Sequence, residues 1–150
     1  MLTFIIHLFT LGESTARYWN FMPLVKFDVV EGRKAYELKA LLDAAHQAVV
    51  ESFQVPESDR YQIVYSHKPC EMILSDTGLG LERTDAAVVM TVISKSRPEE
   101  MKVELYRSLA SRLETYCGIK PSDLIVSVIE NMEPDWSFGL GEAQFVTGKL

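Results

Sequence analysis

The chain has 150 residues, of which 47% are hydrophobic and 24% charged, enough for one substantial core but not for two such domains. Its 21 acidic residues outnumber its 15 basic residues, and the basic residues form no run. Nucleic acid and anionic membranes are therefore not expected partners, and a small anionic substrate would need a local cationic pocket. Cys70 and Cys117 do not suggest a disulfide scaffold, so we expect free thiols and a cytoplasmic protein.

Residues 1–21 are treated as an N-terminal extension of a domain that spans residues 22–150. The apolar stretch from Leu2 to Leu11 lacks the positive flank of a signal peptide and is too short to cross a bilayer. A short amphipathic arm, a weak signal, or upstream sequence from a wrongly chosen start codon would each explain it, and we favour the last. If Met22 is the true start and is removed, Pro23 exposes a secondary amine.

The first structural unit follows Pro23. Apolar side chains alternate from Pro23 to Val30, which predicts a strand with one apolar face. Apolar residues then recur at three- and four-residue steps from Leu38 to Phe53, which indicates an amphipathic helix. A turn at residues 55–59 leads to a second strand, predicted from Tyr61 to Tyr65.

A second unit repeats this pattern 64 positions later without a gap. Its strand, helix, turn and strand are predicted at residues 87–94, 98–117, 118–123 and 124–129. The alignment places Arg33 on Arg97 and Asp59 on Asp123, so the turns match as well as the helices. We predict an α+β fold in which tandem β-α-β units form a four-stranded mixed sheet with two helices on one face.

Two helices can cover only one face of such a sheet, yet the strands of the second unit are apolar on both faces. A second copy of the sheet would cover the other face, which predicts a homo-oligomer. The alternative is that the linker at residues 67–83 or the C-terminal tail folds over it. The tail places Trp136, Phe138 and Phe145 among glycines, which suggests a short hairpin or an inserted arm.

Several short motifs together resemble the malonate semialdehyde decarboxylases of the tautomerase superfamily, over Pro23 to Leu150. The motifs are Pro23-Leu-Val-Lys-Phe-Asp28, Glu31-Gly-Arg33, Leu41-Leu-Asp-Ala-Ala-His46, Asp59-Arg-Tyr-Gln62, Asp76-Thr-Gly-Leu-Gly80, Thr91-Val-Ile-Ser94, Asp135-Trp-Ser-Phe-Gly139 and Phe145-Val-Thr-Gly148. The resemblance implies a homotrimer of tandem strand-helix-strand units, with an N-terminal proline at the base of each pocket.

The resemblance also implies a set of site residues. It assigns catalysis to Pro23, Asp59 and Arg97, and binding of the substrate carboxylate to Lys95 and Arg97. The hydrophobic wall of the pocket would consist of Trp136, Phe138, Phe145 and Leu150. Lys95 stands where the family has arginine and is followed by Ser96 where the family has proline, so the planar two-point grip of a guanidinium is lost at Lys95.

The expected reaction is loss of carbon dioxide from a small 3-oxo acid, with malonate semialdehyde as the best candidate and no cofactor or metal. An isolated α-amine titrates near ~8, so its neighbours decide its role. Asp59 would favour the cation of Pro23, which acts as an acid in decarboxylation or hydration, whereas Lys95 and Arg97 would favour the free amine, a base for tautomerisation. A covalent iminium on Pro23 is a further variant.

Each site residue also has a structural explanation. Pro23 could simply begin a strand, and Asp59 could be a turn aspartate like its repeat partner Asp123. Lys95 and Arg97 could be a solvated helix entry, and the aromatic residues could pack against another subunit. If residues 1–21 stay attached, Pro23 has no free amine, and the chain would be an inactive trimeric binding module.

Overall fold

The computed structural model describes residues 23–150, which form a four-stranded mixed sheet with two helices packed on one face. In chain order the elements are β1 (Leu24–Val30), α1 (Ala35–Phe53), β2 (Tyr61–His67), β3 (Val88–Lys95), α2 (Glu99–Cys117) and β4 (Leu124–Asn131). Single 3₁₀ turns occupy Pro69–Glu71, Pro121–Asp123 and Glu133–Asp135. The predicted fold class is confirmed, and the predictions for residues 1–21 lie outside the described residues.

The two helices show the internal repeat most clearly, because α2 begins and ends 64 positions after α1. Each helix is followed by a residue in the left-handed backbone conformation, Gln54 after α1 and Gly118 after α2. Pro98 was predicted as the first residue of α2 but lies just before it. Within residues 23–150, neither helix is long and apolar enough to cross a membrane.

The strand order β2-β1-β3-β4 joins the two units through their first strands. Within each unit the strands are parallel, as right-handed crossover units require, whereas β1 and β3 are antiparallel. The antiparallel register pairs Leu24 at the start of β1 with Ile93 near the end of β3, and the parallel register pairs Leu24 with Tyr61 at the start of β2. One end of the sheet therefore gathers the start of the first unit and the end of β3.

The core lies between the sheet and the helices, where alternate strand residues meet the apolar stripes of α1 and α2. Complete burial of one such side chain contributes about 1.5–3 kcal/mol. Fully buried members include Phe27 and Val29 of β1, Val88, Met90 and Val92 of β3, Leu41, Ala45 and Phe53 of α1, and Leu105, Leu109 and Leu113 of α2.

The opposite face of the sheet keeps large apolar side chains exposed on its two outer strands. Tyr61, Ile63 and Tyr65 of β2 and Ile129 of β4 are 40–49% exposed. Exposed apolar residues grouped on one face are typical of a surface that contacts another molecule. The single chain thus leaves part of this face uncovered, as the two-sided apolar pattern of the strands predicts.

Candidate active site

The predicted catalytic residues belong to segments that meet at the end of the sheet where β1 begins. Pro23 is buried immediately before β1, and continuing the strand register by one residue places it beside Ser94 of β3. Asp59 lies in the turn before β2, and Lys95 and Arg97 follow Ser94. This arrangement follows from the antiparallel pairing of β1 with β3, which joins the start of one unit to the end of a strand in the other.

Arg97 is only 4% exposed, and its guanidinium contacts residues of both units. Its Nε donates to Ser94 Oγ at 3.1 Å and its Nη1 to the Phe53 carbonyl oxygen at 3.4 Å, and the guanidinium carbon lies 5.1 Å from the Phe53 ring centroid. Burial lowers the pKa of Arg97, and the negative charge of Asp59 opposes this shift. Because arginine titrates far above neutrality, the group stays a cation in a fixed position near Asp59.

Lys95 has a different environment, although it is only two residues away. Its side chain is 17% exposed, and its Nζ lies 2.7 Å from Glu133 Oε1 and 4.9 Å from the Phe145 ring centroid. Because β3 ends at Lys95, the spacing of two residues does not place both cations on one strand face. Lys95 contacts the C-terminal tail, whereas Arg97 packs against α1.

Glu133 was not identified from the sequence, because its proximity to Lys95 depends on strand pairing. Lys95 pairs with Asn131 at the ends of β3 and β4, and the 3₁₀ turn that contains Glu133 begins two residues after Asn131. A lone glutamate after a strand carries no signal of its own. The register of β3 with β4 is the information that would have found it.

The tail builds an aromatic cluster beside Lys95. Trp136 stacks on Phe138 with ring centroids 5.4 Å apart, and Phe138 meets Phe145 edge to face at 5.5 Å. Tyr61 of β2, which the sequence analysis did not select, lies 6.2 Å from Phe138. The indole N–H of Trp136 donates to the Asn131 side-chain oxygen at 2.8 Å, so the cluster is fixed to the end of β4.

Between its 3₁₀ turn and its end, the tail contains no strand within the described residues, so of the two alternatives the short hairpin is not formed. Gln144 holds the arm: its Oε1 accepts the Phe138 backbone N–H at 2.9 Å, and its Nε2 donates to the Gly139 carbonyl at 2.8 Å. Leu150, predicted as part of the pocket wall, lies at the C-terminus and is 47% exposed.

A groove lies at the other end of the sheet, around Arg33, the repeat partner of Arg97. This groove encloses about 460 Å³ and is lined by Arg33, Tyr36, Tyr116 and Cys117, among others. The guanidinium donates to the carbonyl oxygens of Ala86 at 2.5 Å and Val30 at 3.3 Å. None of the predicted site residues is among the residues that line this groove.

No group of three or more histidine, cysteine, aspartate or glutamate side chains in residues 23–150 is arranged to hold a metal ion. His67, which stands in a spacing typical of metal ligands with Cys70, instead lies with its Nε2 2.7 Å from Asp28 Oδ1.

Comparisons with known proteins cover the same region. Two family models, both described as tautomerase enzyme, match residues 23–82 and 59–139. The probable tautomerase YrdN of Bacillus subtilis (strain 168) is 62% identical over 129 residues, which cover 86% of this chain and all of that protein. The two model matches include all the predicted site residues except Phe145 and Leu150.

Solved structures give the same outline. A malonate semialdehyde decarboxylase is 54% identical with a TM-score of 0.82, and the match covers 85% of this chain and 98% of the other. A malonate semialdehyde decarboxylase inhibited by 3-bromopropiolate is 36% identical with a TM-score of 0.80, over 85% of this chain and 97% of the other. The likeness therefore includes both β-α-β units.

Proposed function

Because this chain belongs to the tautomerase superfamily, we propose that it is a cofactor-independent decarboxylase that converts malonate semialdehyde, a small 3-oxo acid, to acetaldehyde and carbon dioxide. The observation that carries the proposal is the buried guanidinium of Arg97, held near Asp59 at the sheet end where β1 begins. The 54% identity to a malonate semialdehyde decarboxylase supports this reaction over others in the superfamily.

In the proposed reaction, Lys95 and Arg97 bind the substrate carboxylate through their positive charges, which strengthen hydrogen bonds to it. The bond between the carboxylate carbon and C2 breaks, and its electron pair passes into an enolate whose charge lies largely on the aldehyde oxygen. A protonated Pro23 stabilises this oxygen by donating a hydrogen bond. Carbon dioxide leaves, and uptake of a proton at C2 gives acetaldehyde.

The tail would supply the apolar side of the pocket. Trp136, Phe138 and Phe145 pack on one another beside Lys95. An apolar wall strengthens the electrostatic interactions inside the pocket because it excludes water. Asp59 would set the protonation of Pro23 and could orient water or the aldehyde.

The mechanism requires Pro23 to be the first residue of the active protein. We propose that Met22 is the functional start and is removed, so that residues 1–21 do not precede the amine. The match to YrdN supports this start, because its 129 residues equal the number in residues 22–150. Mass spectrometry of the native protein tests it directly.

The function is tested with two forms of the chain, one expressed from Met22 and one from Met1. The form whose mass places Pro23 at its N-terminus should release carbon dioxide and acetaldehyde from malonate semialdehyde in equal amounts. The form that retains Met1 should be inactive, because its proline nitrogen lies in an amide. Equal activity of a verified Met1 form, or no carbon dioxide from the Pro23 form, would overturn the proposal.

Tautomerisation or hydration of a related 2-oxo or unsaturated acid is the second candidate, favoured by the 62% identity to a probable tautomerase. A tautomerase would use the free amine of Pro23 as a base, so its rate would rise as the amine loses its proton. A decarboxylase that uses the cation would lose activity over the same pH interval. The pH-rate profiles with a 3-oxo acid and with an enol substrate therefore distinguish the two reactions.

We also propose that the chain assembles as a homotrimer in the cytoplasm. The exposed apolar side chains on the open sheet face, such as Tyr65 and Ile129, support an association of copies through that face. The number three comes from the family resemblance. Sedimentation equilibrium of the Pro23 form should give the mass of three chains, and a monomer at micromolar concentration would contradict the assembly.

A further inference from the structure

We infer that Glu133 is a specificity-determining residue, which pairs with Lys95 and so favours substrates with one carboxylate over substrates with two. The inference rests on the proposed function of this pocket. It concerns how a residue of the tail limits the charge of the anion that the pocket accepts, a role that the motif positions assign to no residue. Glu133 would act through Lys95 rather than on the reacting atoms.

The geometry confines the Lys95 ammonium between a carboxylate and an aromatic ring. Nζ lies 2.7 Å from Glu133 Oε1 on one side and 4.9 Å from the Phe145 ring centroid on another. The β3–β4 register, which pairs Lys95 with Asn131, positions the 3₁₀ turn that begins with Glu133 next to this ammonium. The Lys95 side chain is largely withdrawn from water at 17% exposed, whereas that of Glu133 is 51% exposed.

The pairing changes the charge that the pocket presents to an acid. Lys95 and Arg97 alone would offer two cations, which suits a dicarboxylate. Glu133 balances Lys95 and Asp59 opposes Arg97, so a protonated Pro23 leaves the group with one net positive charge. A second carboxylate placed near Lys95 would meet the like charge of Glu133, which disfavours it.

The test measures binding without turnover, with malonate as the dicarboxylate probe and 3-hydroxypropionate as the monocarboxylate probe. Glu133→Gln keeps the size of the side chain and removes its charge. Glu142→Gln is the matched control, because Glu142 pairs with Lys149 in the same tail and the two variants lose the same charge. Titration calorimetry on the Pro23 form gives the dissociation constant of each probe.

The expected result is a selective gain for the dicarboxylate. Glu133→Gln should bind malonate about 5- to 10-fold more tightly and 3-hydroxypropionate only about 2- to 3-fold more tightly. Malonate has two carboxylates and therefore gains more from the loss of the Glu133 charge than a probe with one. Glu142→Gln should leave both constants within about 2-fold of the wild type, as is usual for an exposed ion pair. In a Lys95→Met background, Glu133→Gln should no longer raise the preference for malonate.

Three results would overturn the inference: an unchanged ratio of the two dissociation constants in Glu133→Gln, the same change of ratio in the Lys95→Met background, or no binding of either probe to any form. A structural role of Glu133 alone would alter both probes equally and would leave their ratio unchanged. A chain that binds both probes but releases no carbon dioxide would disprove the proposed reaction and leave the selectivity result standing.

Discussion

The two ends of the sheet carry matching residues of the internal repeat and use them differently. At the end where β1 begins, Arg97 is held near Asp59 and follows by three residues Ser94, which the continued register places beside Pro23. At the other end, the corresponding positions are Arg33, Asp123 and Ala87. The first set includes Pro23 at the start of β1, whereas its counterpart Ala87 lies in the middle of the chain.

At this second end, the side chains of Arg33 and Asp123 form hydrogen bonds with backbone groups of the protein itself. Arg33 donates to two carbonyl oxygens, of Val30 and Ala86. Asp123 is 1% exposed and accepts hydrogen bonds from the Thr84 backbone N–H at 2.6 Å and the Thr84 hydroxyl at 2.8 Å. A buried carboxylate with such partners contributes to stability, so Arg33 and Asp123 support the fold, whereas for Arg97 and Asp59 we propose a role in the reaction.

The largest expected difference between the two ends is in the free energy of unfolding, when the last residue of each helix is replaced. Phe53 is fully buried and packs under Arg97, whereas its repeat partner Cys117 is half-buried. Phe53→Ala should lower the free energy of unfolding by about 3–5 kcal/mol. Cys117→Ala should lower it by about 1 kcal/mol or less, because a smaller and partly exposed group is lost. Urea unfolding measures both, and equal losses would contradict the comparison.

The arginines should differ most in catalysis. Arg97→Ala should lower kcat/KM for malonate semialdehyde by about 10²–10³-fold, the cost typical of removing a group that stabilises charge in the transition state. Arg33→Ala should keep kcat/KM within about 3-fold and instead lower the free energy of unfolding by about 1–3 kcal/mol, because two carbonyls lose their donor. Similar kinetic losses in both variants would place Arg33 in the reaction as well.

The aspartates sharpen the comparison at a smaller scale. Asp123→Ala should lower the free energy of unfolding by about 1–3 kcal/mol, since the Thr84 backbone N–H loses a buried acceptor. Asp59→Ala should also lower it, because the buried cation of Arg97 loses an opposing charge, but this variant should in addition lower kcat and shift the pH-rate profile. Chemical unfolding and steady-state kinetics on the same preparations separate the two roles. An Asp59→Ala variant with normal kcat would leave that residue with a turn role only.

The smallest expected effect is on the alkylation rate of the Cys117 thiol, which lies beside Arg33. Burial raises the pKa of Cys117, and the positive charge of Arg33 partly opposes the increase. Because the thiolate is the reactive form, Cys117 should be alkylated more slowly than the exposed Cys70 near pH 8. Arg33→Met should raise the pKa further and slow the reaction of Cys117 by roughly 2-fold, with the difference shrinking as pH rises. Mass spectrometry of labelled peptides measures both rates.

The sequence sufficed for most of the fold because its periodicity is strong and is repeated. The shift of 64 positions predicted where α2 would follow α1, although α2 begins at Glu99 instead of Pro98 and the second, third and fourth strands end one or two residues later than predicted. The resemblance supplied candidate positions for Pro23, Asp59 and Arg97, whose roles stay predictions. The shift also aligned Arg33 with Arg97, but it could not tell which hydrogen-bond partners each guanidinium would have.

The neighbours of the candidate site were harder to predict. Glu133 and Tyr61 contact predicted site residues only because β3 pairs with β4, and β2 with β1, in a particular register. Such pairings join residues that are distant along the chain, and no local pattern specifies them. The sequence also did not predict that Lys95 and Arg97 would have different neighbours. They differ because β3 ends at Lys95 and Arg97, beyond the strand, is buried.

The antiparallel pairing of β1 with β3 also determines which folding step must be complete before activity appears. Each β-α-β unit can form its helix and parallel strand pair from nearby sequence, but Pro23 and Arg97 belong to different units and approach only when β1 docks on β3. Contacts between distant segments carry the larger loop-closure cost and tend to form late. After dilution from denaturant, the rate at which activity recovers should therefore measure the docking of the two β-α-β units. The rate at which the helical circular dichroism signal recovers should measure the formation of each unit.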